Sequence, residues 1–156
     1  MIYLASGIVI LVALMWYLDK KGLTRVKMIF SIAIVVVIAG YMGYVVLVPP
    51  AVTIENGNMV ITGSYGVEIP LSEITSVELT SEIPKIELRS NGIDAFGYAL
   101  IGKFRLAEWG NGRLFMQQKT GPFVVVKYHD TFSIINYRDQ QRSQETYDLL
   151  YSAWSK

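Results

Sequence analysis

Residues 28–48 read MIFSIAIVVVIAGYMGYVVLV, twenty-one residues without a charge. As a helix, this run reaches about 31 Å, matching a hydrocarbon core of roughly 30 Å. A second charge-free run, IYLASGIVILVALMWYL, lies upstream at 2–18. It reaches about 25 Å and ends on Trp16 and Tyr17, aromatic residues suited to a membrane interface. The two runs predict a transmembrane helical hairpin over residues 1–48, with helices at about 2–18 and 28–48 and a loop at 19–27. A cleaved signal peptide fits less well, because the first run has neither a basic start nor a small-residue cleavage site. The polar groups inside the runs, such as Ser6 and Ser31, are small and define no ion or proton path. Ala39 with Gly43, and Ser6 with Gly7, would let two helices approach closely.

Charge sets the expected orientation. The loop carries Lys20, Lys21, Arg25 and Lys27 against Asp19, a net of +3. No Lys or Arg then follows until Lys85. By the positive-inside rule the loop is cytoplasmic, and residues 51–156 lie on the extracytoplasmic side of a cell membrane. From Ala51 onward there are ten basic and twelve acidic residues, a net of −2, which argues against nucleic acid as a partner. The chain has no cysteine, which excludes disulfides, thiolate catalysis and Cys-ligated metal.

Val48-Pro49-Pro50 closes the apolar run, since proline cannot continue a helix and pushes its predecessor toward extended geometry. Beyond it the pattern changes to period two. Val52 and Ile54 alternate with Thr53 and Glu55, and Asn56-Gly57 supplies a hairpin turn into 59–62. Val67, Ile69 and Leu71 share a face, Val77 and Leu79 mark the next run, and 85–89 alternates strictly up to an Asn91-Gly92 turn. Further extended runs fall at 102–106, 113–118, 123–128 and 132–137, with a tight His129-Asp130-Thr131 connection between the last two. The period then becomes helical: Tyr147, Leu150, Tyr151 and Trp154 form one stripe, and Asp139 is placed to cap the helix start. This predicts an α+β chain in which the hairpin precedes a β-sandwich or barrel of about seven strands, 51–156, plugged by a C-terminal capping helix.

At this point the residues resemble a family. IPLSEITSVEL at 69–79, Arg89-Ser90-Asn91-Gly92, Gly97-Tyr98 and Gly102-Lys103-Phe104-Arg105-Leu106, with the closing helix, look like the bacterial pleckstrin-homology-like domain membrane proteins. The resemblance covers most of 52–155. It implies a seven-stranded barrel-like sandwich with a C-terminal helix, and it implies no reaction. Eukaryotic pleckstrin-homology domains that bind phosphoinositides use basic residues around the first hairpin. The matching turn here, Glu55-Asn56-Gly57-Asn58-Met59, has none, so phosphoinositide is not an expected ligand.

Signals for catalysis are thin. His129 is the only histidine and sits in a turn, and the carboxylates Glu73, Glu78, Glu82 and Glu87 are scattered. No nucleophile-elbow, zinc-protease or phosphate-loop motif is present, so no enzyme, cofactor or metal is expected. The richest surface is 89–112, where five glycines interleave with aromatic and basic side chains. Arg89, Tyr98, Lys103, Arg105 and Trp109 are its candidate interaction residues. The expected function is a non-enzymatic, membrane-anchored module that binds a protein partner or self-associates beside the bilayer. The alternative is a small transport or membrane-assembly subunit in which the hairpin is the working part.

Overall fold

The structure, a computed structural model, describes residues 16, 17, 20 and 22, then 24–95 and 99–156. It divides into two compact units, Met1–Tyr44 and Val45–Lys156.

Helix α1 begins at Thr24 in the first unit and ends at Leu47, three residues past that unit's boundary. An 18-residue window within it, Thr24–Tyr41, has mean hydropathy 1.8 and no buried residue. One N-terminal helix is therefore long and apolar enough to span a membrane. It starts four residues ahead of the charge-free run, so Arg25 and Lys27 lie in its first turns rather than in a loop. The expected two-helix hairpin is corrected: the described residues contain this single candidate span. Of the 2–18 run only Trp16 and Tyr17 are described, and the rest of that helix, with Ser6 and Gly7, lies outside the described residues. A charge-free stretch reports length and apolarity; it carries no information on whether two such stretches pair.

In the second unit the expected barrel of about seven strands is also corrected. Among the described residues, nine strands form two sheets. Strands β1 (Val52–Glu55), β2 (Asn58–Ile61) and β3 (Val67–Pro70) make an antiparallel meander. The Asn56-Gly57 turn joins the first two, with Glu55 opposite Asn58. A 3₁₀ turn, Leu71–Glu73, leads to the larger sheet. Its strands are β4 (Ile74–Thr80), β5 (Ile86–Asp94), β6 (Leu100–Leu106), β7 (Gly110–Met116), β8 (Phe123–Tyr128) and β9 (Thr131–Asn136), in the order β4-β8-β9-β7-β6-β5. After the tight turn at His129 and Asp130, β9 inserts between β8 and β7 and runs parallel to β7. Asn91-Gly92, read from sequence as a turn, lies inside β5, where a register shift between Arg89 and Asn91 lets the strand continue to Asp94.

Each face of the six-stranded sheet carries an apolar cluster. One packs against the small sheet and the closing helix α2 (Gln140–Trp154), in a cluster that joins Met59, Ile61 and Ile69 to Phe115, Val124, Ile135 and Leu150. The other carries Leu100, Phe104, Leu106, Leu114, Met116, Val125 and Ile134, all buried, and this cluster has no member from the small sheet or from α2. The sheet covers that face by curling. Its edge strands β4 and β5 are consecutive in sequence, and the connection from Thr80 to Ile86 reaches at most about 22 Å, whereas six flat strands span about 24 Å. Ile83 and Ile86 on this connection pack against the inner cluster.

Helix α2 is held at both ends. The Asp139 carboxylate accepts from the Gln141 amide at 2.9 Å, a cap of a kind that contributes about 1 kcal/mol. The Trp154 indole donates to the Ile74 carbonyl at 2.9 Å. Leu150 is fully buried, but Tyr151 is 45% exposed, so the predicted four-residue stripe narrows to Tyr147, Leu150 and Trp154. Ser143 and Thr146 are also buried on this helix, and the Ser143 hydroxyl accepts from the Tyr137 amide at 3.0 Å. The Tyr137 hydroxyl donates to the Pro50 carbonyl at 3.0 Å. Burial pushes that phenol above its ordinary value, against the opposing pull of Thr146 and Arg142, which keeps it a protonated donor.

Candidate functional site

Of the five residues singled out from sequence, the four that are described do not form one surface, because consecutive strand residues point to opposite faces. Phe104 enters the inner cluster, so Lys103 and Arg105 project from the other side of β6. Arg105 is committed locally: its Nε lies 3.4 Å from Glu87 Oε2, and both side chains are about half exposed, where such a pair adds little stability. Arg89 sits opposite Phe104 and lines a cleft against the inner face. Trp109 is half-buried at the β6–β7 turn, edge-on to Phe132 with ring centroids 5.6 Å apart, and Lys127 Nζ stands 4.9 Å from its ring. That packing gives Trp109 a structural task. Tyr98 lies outside the described residues.

Lys103 is the candidate around which polar groups gather. The β6–β7 hairpin turns through 107–109, with Leu106 opposite Gly110, and that register sets Lys103 directly across from Arg113. Two like charges in such a pair repel, and nothing in the sheet requires both. They line a cleft of about 380 Å³ together with Ser90, Asn111 and Thr131. No carboxylate lines it, and neither cation has an ion pair among the described residues.

Arg113 is aimed by its surroundings. Its Nη1 donates to the Tyr128 hydroxyl at 3.2 Å, and that hydroxyl lies 3.1 Å from Ser133 Oγ in a buried pair. Ser133 is Arg113's register partner on β9, so the inserted parallel strand supplies half of the support. Thr131 is fixed in turn, its hydroxyl donating to the Asn111 carbonyl at 2.8 Å. The result is a guanidinium with restricted freedom, an ammonium, an amide and two hydroxyls facing one volume. Chemically this suits an anion, above all a carboxylate that accepts from the planar guanidinium fork.

Sequence reasoning missed Arg113, Asn111 and Thr131. The signal that would have found Arg113 is the short turn at 107–109, which counts residues backwards and forwards into register. Thr131 and Ser133 had no such signal, because the β7–β9 contact is parallel and non-local. Elsewhere, His129 Nε2 lies 3.5 Å from Glu73 Oε2 at the surface. Among the described residues no three potential His, Cys, Asp or Glu ligands come together for a metal.

Compared with family models, curated proteins and solved structures, the chain matches none of them.

Proposed function

We propose that this chain is a membrane-anchored, non-enzymatic binding module that engages an acidic segment of a protein partner, or of a second copy of itself, through the Lys103–Arg113 cleft. The observation that carries the reading is the cross-strand pairing of two cations in a cleft without a carboxylate. A repulsive arrangement held in place by the Tyr128–Ser133 pair costs stability when empty and becomes favourable once an anion is bound. Binding of a hexaglutamate probe to the full-length chain tests it. Affinity should fall about tenfold or more in Lys103→Gln/Arg113→Gln, and should weaken with added salt in the wild type. Equal affinity for both proteins overturns the reading.

In this reading α1 is the anchor. Arg25 and Lys27 in its first turns, with Lys20 and Lys21 just ahead, favour the cytoplasm for its N-terminal end, which puts the β unit outside. The cysteine-free background allows a direct check. Glu55→Cys, exposed beside the first hairpin turn, should react with a membrane-impermeant thiol reagent on intact cells, and Gly22→Cys should react only after lysis. The reverse labelling pattern would put the β unit in the cytoplasm.

A further inference from the structure

The inner face of the curled sheet has a second opening whose chemistry differs from the polar cleft. Its volume is about 390 Å³, at the small end of the roughly 300–1,000 Å³ typical of small-molecule sites. Ile83, Ile86, Leu100, Phe104 and Met116 supply an apolar lining. Arg89 and Lys119 stand at its margin with one carboxylate, Asp94. None of these three charged groups has an ion pair among the described residues.

The apolar lining is not simply core. Leu100, Phe104 and Met116 are buried, but Ile83 in the connection that closes the sheet and Ile86 at the start of β5 remain half-buried. Their exposed area is removed from water only when something enters the cleft. The charged margin restricts what that is. Two cations against one carboxylate leave an excess of one positive charge beside an apolar chamber. Between Met116 and Lys119, Gln118 also keeps a buried Nε2 donor without an acceptor among the described residues. Arg89 is on this face because a register shift in β5 pairs it with Phe104.

We infer that this cleft is a binding site for a single-chain amphipathic anion, an acyl chain with a carboxylate head. The chain lies against Ile83, Ile86, Phe104 and Met116, and the head is held by Arg89 and Lys119. The small volume selects one short or medium-length chain over a two-chain bilayer lipid. Arg89 lies on β5 and Lys119 in the loop after β7, so a bound head would also tie these two segments together.

Octanoate is the probe, added to the full-length chain in phosphatidylcholine nanodiscs with ¹³C-methyl-labelled methionine. The chain has six methionines, and the Met116 signal is identified by its loss in Met116→Leu. Octanoate should shift Met116 saturably and leave Met59, buried in the opposite cluster, unmoved. Arg89→Gln/Lys119→Gln should weaken octanoate by about tenfold or more, as expected for losing charge-assisted contacts, and should leave octanol affinity unchanged. Ile86→Trp should abolish the Met116 shift while the remaining methionine signals report an intact fold. Lys103→Gln/Arg113→Gln should bind octanoate normally, so this site and the polar cleft succeed or fail separately. Absence of a saturable Met116 shift overturns the inference, as does octanoate binding indifferent to the two cations. A Met116 signal already saturated in discs containing phosphatidylglycerol also overturns it, because the occupant is then a bilayer lipid.

Discussion

Gly102→Ala is expected to destabilise the β unit by about 2–6 kcal/mol, enough to unfold much of it. Two costs coincide at this position. The backbone has φ +133°, a conformation that side-chain-bearing residues seldom adopt, which costs about 1–3 kcal/mol. The new methyl would also meet backbone rather than a side chain that can move: the added carbon falls against Gly92 Cα and 2.5 Å from the Asn91 carbonyl oxygen. Forcing those strands apart adds about another 1–3 kcal/mol. Gly102 is paired with Gly92, so β5 and β6 approach here with no side chain on either strand. Gly57→Ala is the control, because that turn glycine has φ +79° but nothing within 4 Å of the added carbon. Thermal or urea unfolding of the full chain, followed by far-ultraviolet circular dichroism, should show a much larger loss for Gly102→Ala. Equal losses would mean that the close approach of β5 and β6 contributes nothing.

Asn136→Leu should cost about 1–3 kcal/mol, although it replaces a buried side chain with an apolar one of similar shape. Asn136 is 0% exposed and stitches the end of β9 to the loop after β7. Its Oδ1 accepts from the Gln117 and Gln118 amides at 3.0 and 3.3 Å, and its Nδ2 donates to the Thr120 carbonyl at 2.8 Å. The Gln117 amide also reaches the Asn136 backbone carbonyl at 3.3 Å, so it keeps a partner after the substitution. The half-buried Gln118 amide does not, and a buried group left unpaired costs about 1–3 kcal/mol, whereas Thr120 is exposed and its carbonyl can turn to water. The same loop presents Lys119 to the apolar cleft, so octanoate affinity should fall with stability. Asn136→Asp keeps the acceptor but sets a carboxylate oxygen against the Thr120 carbonyl, and should be destabilising as well. Urea midpoints unchanged in Asn136→Leu would show that the loop is held by other contacts.

The β5–β6 edge shows how far pattern reading reaches. Strict alternation at 85–89 places a strand correctly, yet two register shifts in β5 change which residues face inward. Arg89, read as part of one interaction surface with Lys103 and Arg105, therefore lines the inner cleft while those two project from the other face. Asn91-Gly92 has the composition of a hairpin turn, and the strand passes through it because Gly92 meets Gly102 across the ladder. A dipeptide's turn preference amounts to a few tenths of a kcal/mol to about 1, less than the several cross-strand pairs between Gly92 and Asp94 supply together.

What the amino-acid order determined by itself is local. The apolar length of α1, the Asn56-Gly57 hairpin, the proline stop after Val48 and the Asp139 cap depend on residues a few positions apart, where backbone geometry and side-chain chemistry act directly. Tertiary structure alone decided the insertion of β9 between β8 and β7, which brings Ser133 beside Arg113 and aims that guanidinium across from Lys103. It also decided the curl that closes an apolar chamber between Ile83 and Phe104. Both depend on pairings between strands distant in sequence, and the alternation of a strand records which face is apolar without recording its neighbour.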